Sequence, residues 1–179
     1  MYEHIQSHKS PVTWVLVADG KQANIYDCRK AMQKIPLGGA NKHHAFDEKP
    51  IHELVPVPNG ALEAESINDY QVGHDRRGTT SSSVSSVHNS YEPHGDIKEE
   101  LKRRFTEALA KKLGKAHEEK LFDHIILVAP AKMIGELREQ LAPDLQRCVA
   151  AVLPKDLTHY LGHELLPHLQ DTLLEAHVA

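Results

Sequence analysis

Three short apolar runs constrain the fold of this chain more than any other feature: Thr13–Ala18 (TWVLVA), His124–Ala129 (HIILVA) and Arg147–Leu153 (RCVAAVL). Each is far shorter than the ~20 apolar residues that span a bilayer. Each is also too continuously apolar for a strand with one wet face. The first reads as a central strand buried on both faces, the second as another buried strand and the third as a further apolar strand. Such strands belong to a partly parallel sheet covered by helices.

The intervening segments fill in that sheet. Asp19-Gly20 follows the first run, and Gln22–Asp27 then alternates, with Ala23 and Ile25 on one side and Asn24 and Tyr26 on the other. Asp-Gly between apolar runs predicts a hairpin whose turn needs positive φ. The alternation predicts a half-buried second strand. Residues 28–50 hold Pro36, Gly38-Gly39 and His43-His44 and are expected to form a connecting loop. Ile51–Val57 reads as a third strand, at a sheet edge because Pro56 cannot donate to a ladder. In Pro58–Gly95, seven of the eight residues Thr79–Ser86 carry hydroxyls. That composition buries too little apolar surface to offset its ordering entropy, so a mobile loop is expected over 58–95.

Asp96 reads as a helix N-cap, with Glu99 completing a capping-box-like pattern. Ile97, Leu101, Phe105, Leu109 and Leu113 repeat every four residues, one apolar stripe that should end near Gly114. Ala131–Leu141 reads as a second helix stopped by Pro143. A third is capped by Asp156 and broken by Pro167. The order is β-β-β-α-β-α-β-α. Right-handed crossovers then give a mixed five-stranded α/β sheet ordered 3-2-1-4-5, the layout of ribonuclease H-like folds. One domain covers residues 1–179.

Composition excludes several classes. A net charge of −4 argues against a protein that coats nucleic acid non-specifically, while leaving room for a local basic face. Cys28 and Cys148, the only two cysteines, are no disulfide framework and read as small packing residues. Residues 1–10 lack the apolar core of a signal peptide, so a cytoplasmic protein without membrane association is expected.

Several segments carry residue types suited to binding. Ile97–Lys120 holds eight Lys/Arg and five Glu, with Lys102, Arg103, Arg104, Lys111, Lys112 and Lys115 forming a positive excess that could follow an RNA backbone. The same pattern also suits a solvated helix face laced with Glu/Lys pairs. Asp75-Arg76-Arg77-Gly78 offers adjacent guanidinium groups beside a glycine, a combination suited to phosphate. Its alternative is an ordinary polar turn. A two-metal nuclease would need gathered carboxylates. Asp19 and Asp123 flank strands, but Asp19 has a local role in the hairpin and Asp156 one as a cap. His163-Glu164 with His168 departs from zinc-protease spacing, whereas His159 and His163 have i, i+4 spacing that could hold an adventitious metal. No nucleophile elbow or phosphate loop is present. No catalytic residue, cofactor or metal is therefore assigned.

Taken in order, Trp14-Val-Leu-Val-Ala-Asp19-Gly20, Asp75-Arg76-Arg77-Gly78, Phe122-Asp123-His124 through Pro130, and Lys155-Asp156-Leu157-Thr158-His159 resemble the bacterial host-attachment protein family. Arg77 stands where that family's element has proline. The resemblance marks Asp19, Gly20, Asp75, Asp156, Thr158 and His159 as family-motif positions. The family is in turn similar to the central domain of archaeal and eukaryotic class-one peptide release factors and of ribosome-rescue proteins, which implies the same β-β-β-α-β-α-β-α layout. Their loop before the long helix carries Gly-Gly-Gln at its tip. Here Pro58–Gly95 has none, and its one glutamine, Gln71, precedes Val72-Gly73. That argues against peptidyl-tRNA hydrolysis by the usual route. The expectation is a non-catalytic intracellular module that binds ribosomal or structured RNA through Arg76, Arg77, Gly78, Lys102, Arg103 and Arg104. Two alternatives stand beside it, an indirect factor in bacterial attachment to host cells and a metal-dependent nuclease or hydrolase.

Overall fold

The computed structural model describes residues 11–36, 46–66 and 93–178. The sheet runs β3-β2-β1-β5-β6, where β1 is Thr13–Ala18, β2 Gln22–Pro36, β3 Phe46–Pro56, β5 His124–Val128 and β6 Val149–Leu153. A two-residue strand, β4 (Leu62–Glu63), pairs with the start of β2 beyond the end of β3. With β4 set aside, this is the expected strand order, antiparallel across β3-β2-β1 and parallel across β1-β5-β6.

The central run behaves as its composition dictates. All six residues of β1 are buried. Trp14, Leu16 and Ala18 point to one face, where they meet Phe105, Leu109 and Leu113 of α1 (Pro93–Glu118) and Met133, Ile134 and Leu137 of α2 (Ala131–Gln140). Val15 and Val17 point to the other face, under Leu165 and under Leu169 and Leu173 of α4 (Leu166–Val178). Each such aliphatic side chain contributes roughly 1.5–3 kcal/mol on burial, so the two layers together dominate the stability of the sheet.

Several boundaries differ from expectation for identifiable reasons. Residues 28–36 and 46–50, read as loop, are strand: β2 and β3 remain paired from Tyr26↔Pro56 out to Pro36↔Phe46. β1 pairs β2 only as far as Cys28, so among the described residues the outer part is a two-stranded arm with no third strand beside it and no apolar alternation to read. The third strand is at an edge, as Pro56 implied. Of the expected 58–95 loop, Leu62–Glu63 is strand and residues 93–95 belong to α1, while 67–92 lie outside the described residues.

The α1 helix starts at Pro93, a residue suited to a first helical position, so Asp96 lies inside the first turn rather than at the cap. It also runs through Gly114 to Glu118. Its real stop is Lys120, which takes the left-handed conformation at φ 54°. There the Leu121 amide donates to the Ala116 carbonyl (3.0 Å) and the Lys120 amide to the His117 carbonyl (2.9 Å), a Schellman closure.

Pro143 ends one helix but opens another, α3 (Pro143–Arg147), so Arg147 is helical and β6 begins at Val149. Asp156 caps a turn, not a helix, and Pro167 lies in the first turn of α4 instead of breaking it.

Candidate functional site

The parallel strands β5 and β6 send the chain to opposite faces of the sheet, toward α2 and α4. Ligand crevices in open α/β sheets form at the carboxyl ends of strands at such a reversal. Asp19, Gly20, Asp156 and Thr158 lie at this end.

Asp19 leaves β1 and builds the turn into β2. Its Oδ1 accepts from the Lys21 amide (2.6 Å) and the Gln22 amide (2.8 Å), while its own amide donates to the Gln22 carbonyl (2.9 Å). A side chain that mimics a backbone turn this way does not require left-handed residues. Neither Asp19 nor Gly20 adopts positive φ, contrary to the expectation for this hairpin. Gly20 serves close approach instead, since a Cβ there would lie 3.3 Å from Cγ of Lys102 on α1.

The second carboxylate oxygen of Asp19 reaches across 139 positions of sequence to accept from the Thr158 hydroxyl at 2.9 Å. The same hydroxyl lies 2.7 Å from Oδ1 of Asp156, which also accepts the Thr158 amide at 3.1 Å. Thr158 is buried. A hydroxyl has one proton, so it donates to one of the two carboxylates at a time. Burial pushes the Asp19 carboxyl up. The Lys21 and Gln22 amides, the Thr158 hydroxyl and the Gln22 side chain outweigh it and hold the group below its ordinary value. Asp19 thus has a long-range partner beyond its hairpin role, and Asp156 acts through the same threonine. The sequence signal was the Asp-x-Thr spacing of Asp156-Leu157-Thr158, a turn-forming pattern.

His159, beside this turn, is exposed and stacks on Tyr160 at 4.1 Å between ring centroids, and Tyr160 in turn meets His168 at 4.4 Å. His159 and His163 are separated by extended backbone and a 3-10 turn at Gly162–Glu164, so they do not share a helical turn. Among the described residues, no group of three or more His, Cys, Asp or Glu side chains gathers as a metal site. Asp123 accepts from the Val12 amide at 2.7 Å, at the opposite end of the sheet from Asp19.

The basic face of α1 is laced with ion pairs. Lys102 reaches Glu99 (3.3 Å), which also takes Lys132 of α2 (3.2 Å). These two lysines hold the Glu99 carboxyl below its ordinary range, Lys132 contributing most. Arg103 grips Glu100 at 2.9 Å and also pairs with Glu107, while Arg104 reaches Glu100 at 2.8 Å. The two guanidinium groups lower the Glu100 carboxyl to about 2. Lys112 is committed elsewhere, donating to the Asn59 carbonyl and to that of Ala61 (3.1 Å). Sequence reasoning missed Glu99 as the link between α1 and α2, because Lys132 enters from a different helix.

Asp19, Gly20, Lys102, Asp156 and Thr158 therefore meet at one end of the sheet, and Arg103 and Arg104 follow Lys102 along α1. Asp75, Arg76, Arg77 and Gly78 lie outside the described residues. Neither thiol is activated: burial pushes Cys28 up to about 11, and burial with nearby Asp123 and Asp144 raises Cys148.

Residues 14–169 match a family described as "Protein required for attachment to host cells". No curated protein matches the chain. A crystal structure of an archaeal translation termination factor is similar over 93% of this chain, at 15% identity and a TM-score of 0.45. This chain covers 36% of the length of that one. No helix among the described residues is long and apolar enough to cross a membrane.

Proposed function

The chain belongs to the family of proteins required for attachment to host cells, and from that premise we propose that it is a non-catalytic module that binds ribosomal or structured RNA inside the cell. One observation carries this reading. Along α1, Lys98, Lys102, Arg103, Arg104, Lys111 and Lys115 are all exposed, with Lys102 against Gly20 in the strand-end turn that Asp19 and Thr158 build. Their intrahelical partners do not oppose the reading. An exposed pair of this kind is only weakly stabilising because water screens it, so a phosphate replaces the glutamate at small cost. Arg76-Arg77-Gly78 precedes α1 in sequence and is part of the same proposed RNA-binding set. Recognition is by shape and backbone, as suits structured RNA. On this reading attachment to host cells depends on the protein indirectly.

Sedimentation of native-cell lysate tests the binding. The protein is expected to travel with ribosomal or other RNA-containing fractions at low salt and to leave them after ribonuclease treatment or at high salt. Replacing Arg103 and Arg104, or Arg76 and Arg77, by alanine should shift it toward the top of the gradient. A protein that stays at the top under every condition ends this reading. Efficient surface labelling of intact cells would overturn the intracellular, indirect role.

A further inference from the structure

The outer part of β2 and β3 forms an arm beyond β1, and an isolated two-stranded ribbon is at best marginally stable in water. Beneath the arm an open groove of about 610 Å³ separates it from α4. One wall carries Lys30 and Lys49, and the other carries Asp171 with Leu173 and Leu174. Lys30 and Met32 share the side of β2 that faces α4, by strand alternation from Tyr26 and Cys28. Met32 is 58% exposed and Leu174 is 62% exposed. Asp171, Leu174 and Glu175 lie within one turn of α4, so the helix presents an apolar residue between two acids. Among the described residues no ion pair crosses from Lys30 or Lys49 to Asp171 or Glu175.

We infer that this groove is the contact surface for a second copy of the chain, related by a two-fold axis that lays the α4 of one copy against the arm of the other. The charge pattern selects this occupant. The surface carries the Lys30 cation on the arm beside Met32 and two anions on the helix beside Leu174, so it is complementary to itself. A two-fold interface uses every such contact twice. Lys30 of one copy faces Asp171 and Glu175 of the other, and Met32 and Leu174 lose water together. The contact also supports the arm, beside which no further strand lies among the described residues.

Sedimentation velocity on the purified, ribonuclease-treated full chain tests this independently of RNA. A concentration-dependent dimer is expected. Leu174→Glu should return it to monomer with an unchanged circular dichroism spectrum, because the side chain is exposed. Lys30→Glu, or Asp171→Lys with Glu175→Lys, should each weaken the dimer by about tenfold or more, and mixing the two variants should restore association as a heterodimer. A chain that is monomeric at all concentrations overturns the inference, as does a dimer indifferent to these substitutions.

Discussion

The Thr158 hydroxyl offers a single proton to two carboxylates, and this ties the first turn of the chain to a loop near its other end. A hydrogen bond to an ionised group contributes about 1.5–3 kcal/mol when both partners are shielded, and less at a half-exposed site such as Asp19. Thr158→Val should therefore cost about 1 kcal/mol in urea unfolding, while Thr158→Ser, which keeps the hydroxyl, should cost less. The Asp19 carboxyl titrates below its unfolded value of 3.8, so its stabilising effect is present above that pH and is lost as pH falls through the folded value. Asp19→Asn should be less stable than the native chain at neutral pH and should lose less stability on acidification below about pH 4, measured by urea unfolding at each pH. Asp19, Asp156 and Thr158 were each legible as motif positions. Their meeting was not, because a bond between residues 139 apart leaves no periodic trace.

At the scale of elements, the buried strands were legible because burial writes itself into composition. β1 and β5 match their apolar runs to within a residue. The β2–β3 arm was not legible, since backbone pairing alone carries it and pairing leaves no mark on side-chain pattern. Helix ends were misjudged where a glycine or proline was taken as a stop. Gly114 lies within α1, with open space around its Cα, and Pro143 and Pro167 both occupy first turns. The stop at Lys120 follows from its left-handed φ of 54°, which costs a residue with a Cβ about 1 kcal/mol relative to glycine. Lys120→Gly should raise the stability of the protein by about 0.5–1 kcal/mol in thermal or urea unfolding without altering its helix content. A decrease would mean that the lysine side chain itself holds the closure.

For the whole molecule, the expected strand order holds because two rules leave little choice: buried apolar strands go to the middle, and crossovers between parallel strands are right-handed. The result brings Lys102 of α1 against Gly20 in the Asp19–Thr158 turn, with Arg103 and Arg104 next to it in sequence. A chain with net charge −4 does not attract polyanions through its overall field, so the proposed RNA binding rests on local cations such as Lys102, Arg103 and Arg104. Binding of purified protein to ribosomal RNA, titrated over a range of salt concentrations, tests this most directly. The account predicts an affinity that falls linearly on a log–log plot against salt, with the slope reduced by about one to two counterions in the Arg103→Ala, Arg104→Ala double variant. No binding at low salt, or binding with the same slope in the double variant, would contradict it.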